Sequence, residues 1–118
     1  DPQDPATFAS AVLDWSELSS GRHAVVLDAY RRLVALRRSR PEVTDPDLRS
    51  VSAVADDERG VFALRRGGLL VAVNLSDDEV SVDLGPGDHD LLFTTPSPAV
   101  VDRSALVLPP HGGAVVAR

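Results

Sequence analysis

The stretch VFALRRGGLLVAVNLS, residues 61–76, decides the fold. In it, two short apolar segments rich in Val, Leu and Phe flank the dipeptide Gly67-Gly68. This arrangement is typical of a β-hairpin, because a two-residue turn needs positive φ angles that glycine adopts freely. Around this hairpin, from Arg49 onward, turn residues recur every eight to twelve positions. Such spacing predicts an antiparallel β-sandwich.

Seven strands follow from the apolar segments between these turns. They are predicted at residues 50–56, 61–66, 69–75, 79–84, 88–94, 104–109 and 113–117. Because successive side chains of a strand point to opposite faces, alternate residues are assigned to the core. The inward candidates, with their neighbours, are Val51, Ala53, Phe62, Leu64, Leu69, Val71, Val73, Val80, Val82, Leu84, Leu91, Phe93, Leu106, Leu108 and Val115.

A helical pattern precedes the strands. Apolar residues recur at three- and four-residue steps between His23 and Arg38, which indicates one amphipathic helix. Ser19 and Ser20 are candidates to cap its first turn, and Pro41 ends it. The predicted fold class is therefore mainly β: an antiparallel Greek-key β-sandwich of about seven strands, preceded by an N-terminal arm and one amphipathic helix.

The composition limits the partners that we expect. The chain has 118 residues, a formal charge of −6 and no cysteine. An acidic chain repels polyanions, so we expect no nucleic-acid partner, and no apolar run is long enough to predict a membrane partner. The lack of cysteine excludes disulfide and metal–thiolate scaffolds, and the cytoplasm is the expected location. Because Met is absent and the sequence starts at Asp1-Pro2, we expect a part of a longer protein.

Catalytic and cofactor motifs are missing from the sequence. It contains neither a glycine-rich phosphate loop nor a G-x-S-x-G nucleophile elbow. The acidic groups at 56–58, 77–79 and 87–90 adjoin turn residues and lack the spacing of a calcium loop. Exposed hairpin tips do not raise a carboxyl pKa, which a two-carboxylate hydrolase site requires. We therefore expect no cofactor, no metal and no catalytic residue in this chain.

Several segments resemble the malto-oligosyltrehalose trehalohydrolases, a branch of the α-amylase superfamily, glycoside hydrolase family 13. A helix followed by Leu-Arg-x-x-x-Pro is common in that superfamily, and the opening DPQDP with the later LDW points to the trehalohydrolase branch. The matching segments are DPQDPATF at 1–8, LDW at 13–15, HAVVLDAYRRLVALRRSRPEV at 23–43, VAVNLS at 71–76 and LPPHGGAVV at 108–116.

The resemblance implies a domain organisation. Residues 1–20 would be the loop or arm after the last barrel strand, 21–40 the final barrel helix, 41–49 a linker and 50–118 the β-sandwich called domain C.

The same resemblance implies candidate site residues. In such barrels the loops after the strands surround the active site. Gln3, Asp4 and Trp15 are therefore candidate substrate contacts at the barrel mouth. The family's catalytic Asp, Glu and Asp lie on barrel strands and match no position here. The pair His89-Asp90 resembles the family's His-Asp motif in sequence only, because it lies in a predicted sandwich strand where the family has no catalysis.

The implied function is that of a non-catalytic C-terminal module that stabilises a catalytic (β/α)8 barrel, which is its expected partner. The parent would be a retaining hydrolase that releases trehalose from maltooligosyl trehalose, and this chain would meet that α-glucan only through the parent. Two alternatives remain open. One is an autonomous carbohydrate-binding module that presents Trp15, and the other is a protein-interaction β-sandwich whose exposed helix stripe recruits a partner chain.

Overall fold

The computed structural model describes every residue from Asp1 to Arg118. The chain divides into two compact units, Asp1–Tyr30 and Arg31–Arg118. The first unit contains helix α1, a 3₁₀ turn and the start of helix α2, and the second contains the rest of α2, helix α3, another 3₁₀ turn and all strands. The bounds are α1 Pro5–Ser10, 3₁₀ Trp15–Ser19, α2 Gly21–Ser39, α3 Pro41–Thr44 and 3₁₀ Leu48–Ser50.

Helix α2 occupies the predicted region, and its ends have clear causes. Arg37 and Arg38 lie in its last turn, where cations complement the negative end of the helix dipole. Pro41 begins the next short helix instead of continuing this one. The predicted hydroxyl cap is not formed by Ser19, whose Oγ donates to the carbonyl of Ser16 at 3.1 Å. The backbone carbonyl of Ser20 instead accepts the first helical bond, from Ala24 N.

The strands form two antiparallel sheets. A five-stranded sheet has the order β1-β2-β3-β8-β5, and a three-stranded sheet has the order β4-β7-β6. Since β8 lies between β3 and β5, and β7 between β4 and β6, the chain crosses between the sheets in the manner of a Greek-key sandwich. This confirms the predicted fold class. The bounds are β1 Val51–Asp56, β2 Val61–Arg66, β3 Leu69–Asn74, β4 Val80–Asp83, β5 Asp90–Thr94, β6 Val100–Asp102, β7 Ala105–Leu108 and β8 Gly113–Ala117.

An eighth strand lies where we predicted a Pro-containing loop. Strand β6 pairs Val100 with Val107 and Val101 with Leu106. The prolines end before this strand, at Pro98, so they do not remove any of its hydrogen-bond donors. The hairpin that defined the prediction is present, with Arg66 opposite Leu69 and a positive φ of 57° at Gly67.

The core lies between the two sheets. In the larger sheet, the face that points into this core differs from the predicted one. The buried residues Val80, Leu84, Leu106 and Leu108 of the smaller sheet and its flanks are inward, as predicted. In the central strands of the larger sheet, the face that we predicted to point inward is turned away from the smaller sheet, although Leu69, Phe93 and Val115 are buried as predicted. The core side of β2, β3 and β8 carries Val61, Leu70, Ala72, Ala114 and Val116. The opposite side carries Phe62, Leu64, Val71, Val73 and Val115, which pair with one another across the strands.

Both faces of β3 and β8 are apolar, and this is the physical reason for the error. Their sequences, LLVAVN and GAVVA, contain no polar residue before Asn74 that could mark an outer face. Such runs are typical of strands that are covered on both sides. We call the second side of the larger sheet, formed by Phe62, Val71, Val73, Phe93 and Val115, the outer face.

Candidate interaction surfaces

The predicted substrate contacts Gln3 and Asp4 lie at the start of the first unit, just before helix α1. The backbone N–H of Gln3 donates to Oδ1 of Asp1 at 2.9 Å. Asp4 is the N-cap of α1, where its Oδ1 accepts from the backbone N–H of Ala6 at 2.8 Å. A carboxylate that caps a helix has one oxygen engaged and the other free for a further donor.

Trp15 begins the 3₁₀ turn of the first unit. Asp14 caps that turn, and its pKa is lowered by hydrogen bonds from the Ser16 hydroxyl, 2.7 Å away, and the Ser16 backbone. The Trp15 side chain is 72% exposed and lines a shallow cavity of about 170 Å³ with Leu13, Leu18 and His23. Gln3 and Asp4 do not line this cavity. The structure therefore does not bring the three predicted contacts into one pocket.

The first unit presents large apolar side chains to solvent. No residue before Val61 is buried. Exposed fractions reach 76% for Phe8, 71% for Leu13 and 67% for Tyr30. Large apolar side chains exposed in such number are typical of an interaction site in a folded protein. We call the group Phe8, Leu13, Trp15, Val26 and Tyr30 the N-terminal apolar set.

The second unit has an apolar surface that the alternation pattern did not reveal. Leu33 of α2 lies beside the outer face, and between them is a cavity of about 180 Å³ that Val71, Phe93 and Val115 also line. The Arg32 guanidinium lies 5.0 Å from the centre of the Phe93 ring, within cation–π distance. The signal in the sequence was the continuous apolar run LLVAV at 69–73, which predicts a strand covered on both faces.

The segment between α2 and β1 is held to the sandwich at the β2–β3 hairpin. The Arg66 guanidinium donates to the carbonyls of Asp45 and Asp47. Glu42 lies against Gly67, where a Cβ would be 3.2 Å from its side chain. The Arg49 guanidinium and backbone N–H both bond the Asp47 carboxylate, which lowers its pKa. This segment, predicted as a linker, is thus fixed by specific hydrogen bonds.

The ion pairs of the structure are separate from one another and do not form a cluster. His111 Nε2 lies 2.9 Å from Asp77 Oδ1, and His23 Nε2 lies 3.6 Å from Glu17 Oε2, all of them exposed. The chain contains no group of three or more His, Asp or Glu side chains placed to hold a metal ion. The carboxyl pKa shifts, at Asp14 and Asp47, are downward, opposite to what a general acid needs. None of the helices has the length and apolarity to span a bilayer.

The fold and these surfaces define a class of protein: an antiparallel β-sandwich module with exposed apolar side chains in its first unit. Comparison with known families places it further. The chain belongs to the family described as "Domain of unknown function (DUF3459)", which matches residues 46–115.

The chain is similar to curated bacterial enzymes over nearly its whole length. It is 41% identical over 116 residues to malto-oligosyltrehalose trehalohydrolase of Brevibacterium helvolum, which covers 98% of this chain and 19% of that protein. It is 51% identical over 82 residues to malto-oligosyltrehalose trehalohydrolase of Arthrobacter ramosus, which covers 70% of this chain and 14% of the relative. The chain thus spans less than a fifth of the length of these relatives.

Solved structures share the fold. Trehalulose synthase MutB from Pseudomonas mesoacidophila superposes with a TM-score of 0.59 and 24% sequence identity, over 75% of this chain and 17% of that chain. At this level of identity the likeness shows the fold alone.

Proposed function

We propose that this chain is the non-catalytic C-terminal module of a glycoside hydrolase that acts as the trehalohydrolase relatives do, and that it stabilises a catalytic (β/α)8 barrel. The observation that carries the proposal is the exposure of the N-terminal apolar set in a chain that matches less than a fifth of its relatives' length. Burying each large apolar side chain contributes about 1.5–3 kcal/mol. A barrel that covers this set gains stability from it.

The proposal assigns a place to each part of the chain. Residues 1–20 form the arm after the last barrel strand, 21–40 the final barrel helix, 41–49 the connecting segment and 50–118 domain C. On the outer face of the larger sheet, Phe62 is 38% exposed and offers a further apolar contact for the same partner. Helix α2 has no buried residue of its own, as expected of a helix whose main partner is the barrel.

The parent reaction that we propose is hydrolysis of maltooligosyl trehalose to release trehalose, in the cytoplasm. Two barrel carboxylates would carry out a retaining mechanism. Gln3, Asp4 and Trp15 would contact the α-glucan at the barrel mouth, since loops after barrel strands surround the active site. The free oxygen of the Asp4 cap and the exposed Trp15 ring are suited to a sugar hydroxyl and a sugar face. Nucleic acid and membranes are not partners in this proposal.

A mixing experiment tests the proposed partner. The Brevibacterium helvolum relative without the region that this chain matches would be purified, and this chain added to it. We expect the added chain to raise the Tm of the truncated enzyme, because it covers apolar barrel surface. Val26→Asp, on the helix surface, should abolish this gain, whereas Asp102→Asn, on the exposed β6 strand, should not. No gain with the unmodified chain would contradict the proposal.

A second candidate function, an autonomous carbohydrate-binding module, is favoured by the exposure of Trp15 and Tyr30, the side chains able to stack on sugars. An amide chemical-shift titration of the isolated chain with maltotriose and trehalose separates the two. A structural module predicts dispersed sandwich signals without saturable shifts. Saturable shifts around Trp15, lost in Trp15→Ala, would establish the binding module instead. Release of trehalose by the isolated chain would overturn both.

A further inference from the structure

Strand β4 lies at the edge of the smaller sheet and has backbone groups that no strand pairs. It pairs with β7 alone. The N–H of Leu84 donates to the Ser104 carbonyl at 2.8 Å, which continues this ladder beyond the end of β4. Backbone groups of an antiparallel strand point alternately toward and away from its neighbour. Since Leu84 points toward β7, the N–H and carbonyl groups of Ser81 and Asp83 point away from it. We call this row of groups the β4 edge.

The space beside the β4 edge is open. The larger sheet has five strands and the smaller sheet has three. Val54 of β1 pairs with Ala63, which packs against the core, so Val54 lies on the core side of the larger sheet. It is nevertheless 66% exposed. A cavity of about 210 Å³ is lined by Val54 and Ala63 of the larger sheet and by Val82 of β4. The fold therefore leaves a place for a fourth strand of the smaller sheet, which would cover Val54.

Two arginines of the β1–β2 hairpin occupy the β4 edge. The Arg59 guanidinium donates to the Ser81 carbonyl, and the Arg65 guanidinium donates to the Asp83 carbonyl at 2.9 Å. Arg65 is two residues after Ala63 in β2, so its side chain leaves the strand on the core side. Charged side chains that point inward at a sheet edge are a means by which natural proteins prevent further strand pairing. Both acceptors that an added strand would need are thus taken.

We propose that Arg59 and Arg65 keep the module from self-association, by preventing a second copy of this chain from pairing its own β4 with the β4 edge. The edge is self-complementary. In an antiparallel pair with Val82 opposite its copy, Ser81 of each copy lies opposite Asp83 of the other, and these residues present their N–H and carbonyl groups to each other. The two arginines block this pairing, because their guanidinium groups already bind the carbonyls that it requires.

Sedimentation velocity of the chain and of the double variant Arg59→Ala/Arg65→Ala, each over a range of concentrations, tests the proposal. We expect the double variant to form dimers at concentrations about tenfold lower than the unmodified chain does, because the freed carbonyls accept bonds across the dimer. The substitutions make the formal charge of −6 more negative, which opposes association. Arg31→Ala/Arg38→Ala, the same change of charge on α2, is the matched control and should associate as the unmodified chain does.

A proline substitution distinguishes pairing at the β4 edge from association of poorly folded chains. The N–H of Ser81 points away from β7, so Ser81→Pro removes a donor of the β4 edge without breaking a bond of the sheet. Added to the double variant, Ser81→Pro should restore the weaker self-association of the unmodified chain. The single variant Arg59→Ala frees only the Ser81 carbonyl and should shift association in the same direction as the double variant, by a smaller factor.

Urea unfolding of each variant establishes that it is folded, and Arg59→Ala with and without Ser81→Pro decides the question if the double variant is not. Three results would overturn the proposal. They are a folded double variant that associates no more than the unmodified chain, an equal effect of the matched control, and added association that Ser81→Pro does not remove. None of these substitutions lies in the N-terminal apolar set, so this proposal and the function proposed above fail separately.

Discussion

Asn74 ends strand β3 with a fully buried side-chain amide, the polar group of the core. Its Nδ2 donates to the carbonyls of Asp78 at 2.7 Å and Pro109 at 2.9 Å, and its Oδ1 accepts from the N–H of Ser76 at 2.9 Å. These bonds join the loop after β3 to the end of β7. The sequence could not predict this role, because the Pro109 partner lies 35 residues away along the chain.

Replacing Asn74 with alanine should lower the free energy of unfolding by about 2–4 kcal/mol, because the buried backbone groups that it bonds are left without partners. Urea unfolding of the isolated chain measures the change. The matched control is Leu75→Ala, a neighbour that is 66% exposed, which should stay within about 0.5 kcal/mol. Equal losses for both variants would contradict the role given to the amide.

The pKa of Asp47 provides a second prediction that concerns a single residue. Its pKa is lowered first by the side-chain hydrogen bond from Arg49 and then by the Arg49 backbone. A lowered pKa in the folded state stabilises the fold above the unfolded value of about 3.9, and this contribution is lost as pH falls through the folded value. Arg49→Gln should raise the pKa of Asp47 towards its ordinary value, as followed by carboxyl ¹³C shifts against pH. Asp14, which is bonded by Ser16, should not change.

At the scale of the secondary-structure elements, turn chemistry and periodicity predicted which segments are strands and where α2 lies. Gly67-Gly68 marked the hairpin because its turn needs a positive φ, which Gly67 adopts. Periodicity could not choose the core face of β3, whose residues are apolar on both sides. That choice depends on which face the smaller sheet covers, and the covering strands β4 and β7 are remote in sequence.

The assignment of Leu70 to the core face and Phe62 to the outer face leads to a prediction about stability. Leu70→Ala, at a position 3% exposed, should cost about 2–4 kcal/mol, since it removes methyl groups from the space between the sheets. Phe62→Ala, on the outer face and 38% exposed, should cost clearly less in the isolated chain. Thermal unfolding of both variants measures the difference. A larger loss of stability for Phe62→Ala than for Leu70→Ala would support the original assignment, in which Phe62 points into the core.

At the scale of the whole molecule, the sequence identifies the residues of the N-terminal apolar set as hydrophobic residues without an assigned packing partner. It does not predict that their side chains are exposed. Trp15 was singled out because a large aromatic in an N-terminal arm needs something to pack against, and it is exposed here. Gln3 and Asp4 came from resemblance alone, because their own bonds are local caps that many chains form. Val26 and Tyr30 belong to the helical period of α2, whereas Phe8, Leu13 and Trp15 lie before it and follow no period.

The uneven burial predicts uneven protection from hydrogen exchange. Amides of the first unit, which contains no buried residue, should exchange through local opening, whereas amides of β3 and β8 should exchange only by global unfolding. Mass-spectrometric exchange of the isolated chain tests this. Binding of the barrel proposed above should slow the α2 amides and leave β8 unchanged. Equal protection of both units in the isolated chain would contradict this account.

The central position of β8 has a consequence for biosynthesis. Residues Gly113–Ala117 are the last of these strands to be translated, yet they lie between β3 and β5 and supply Ala114 and Val116 to the core. While the ribosome still holds them, β3 and β5 each lack a neighbour and the sandwich cannot close. A nascent chain cut short before residue 113 therefore remains open to proteases. Closure of the sandwich thus has to wait until β8 has been synthesised.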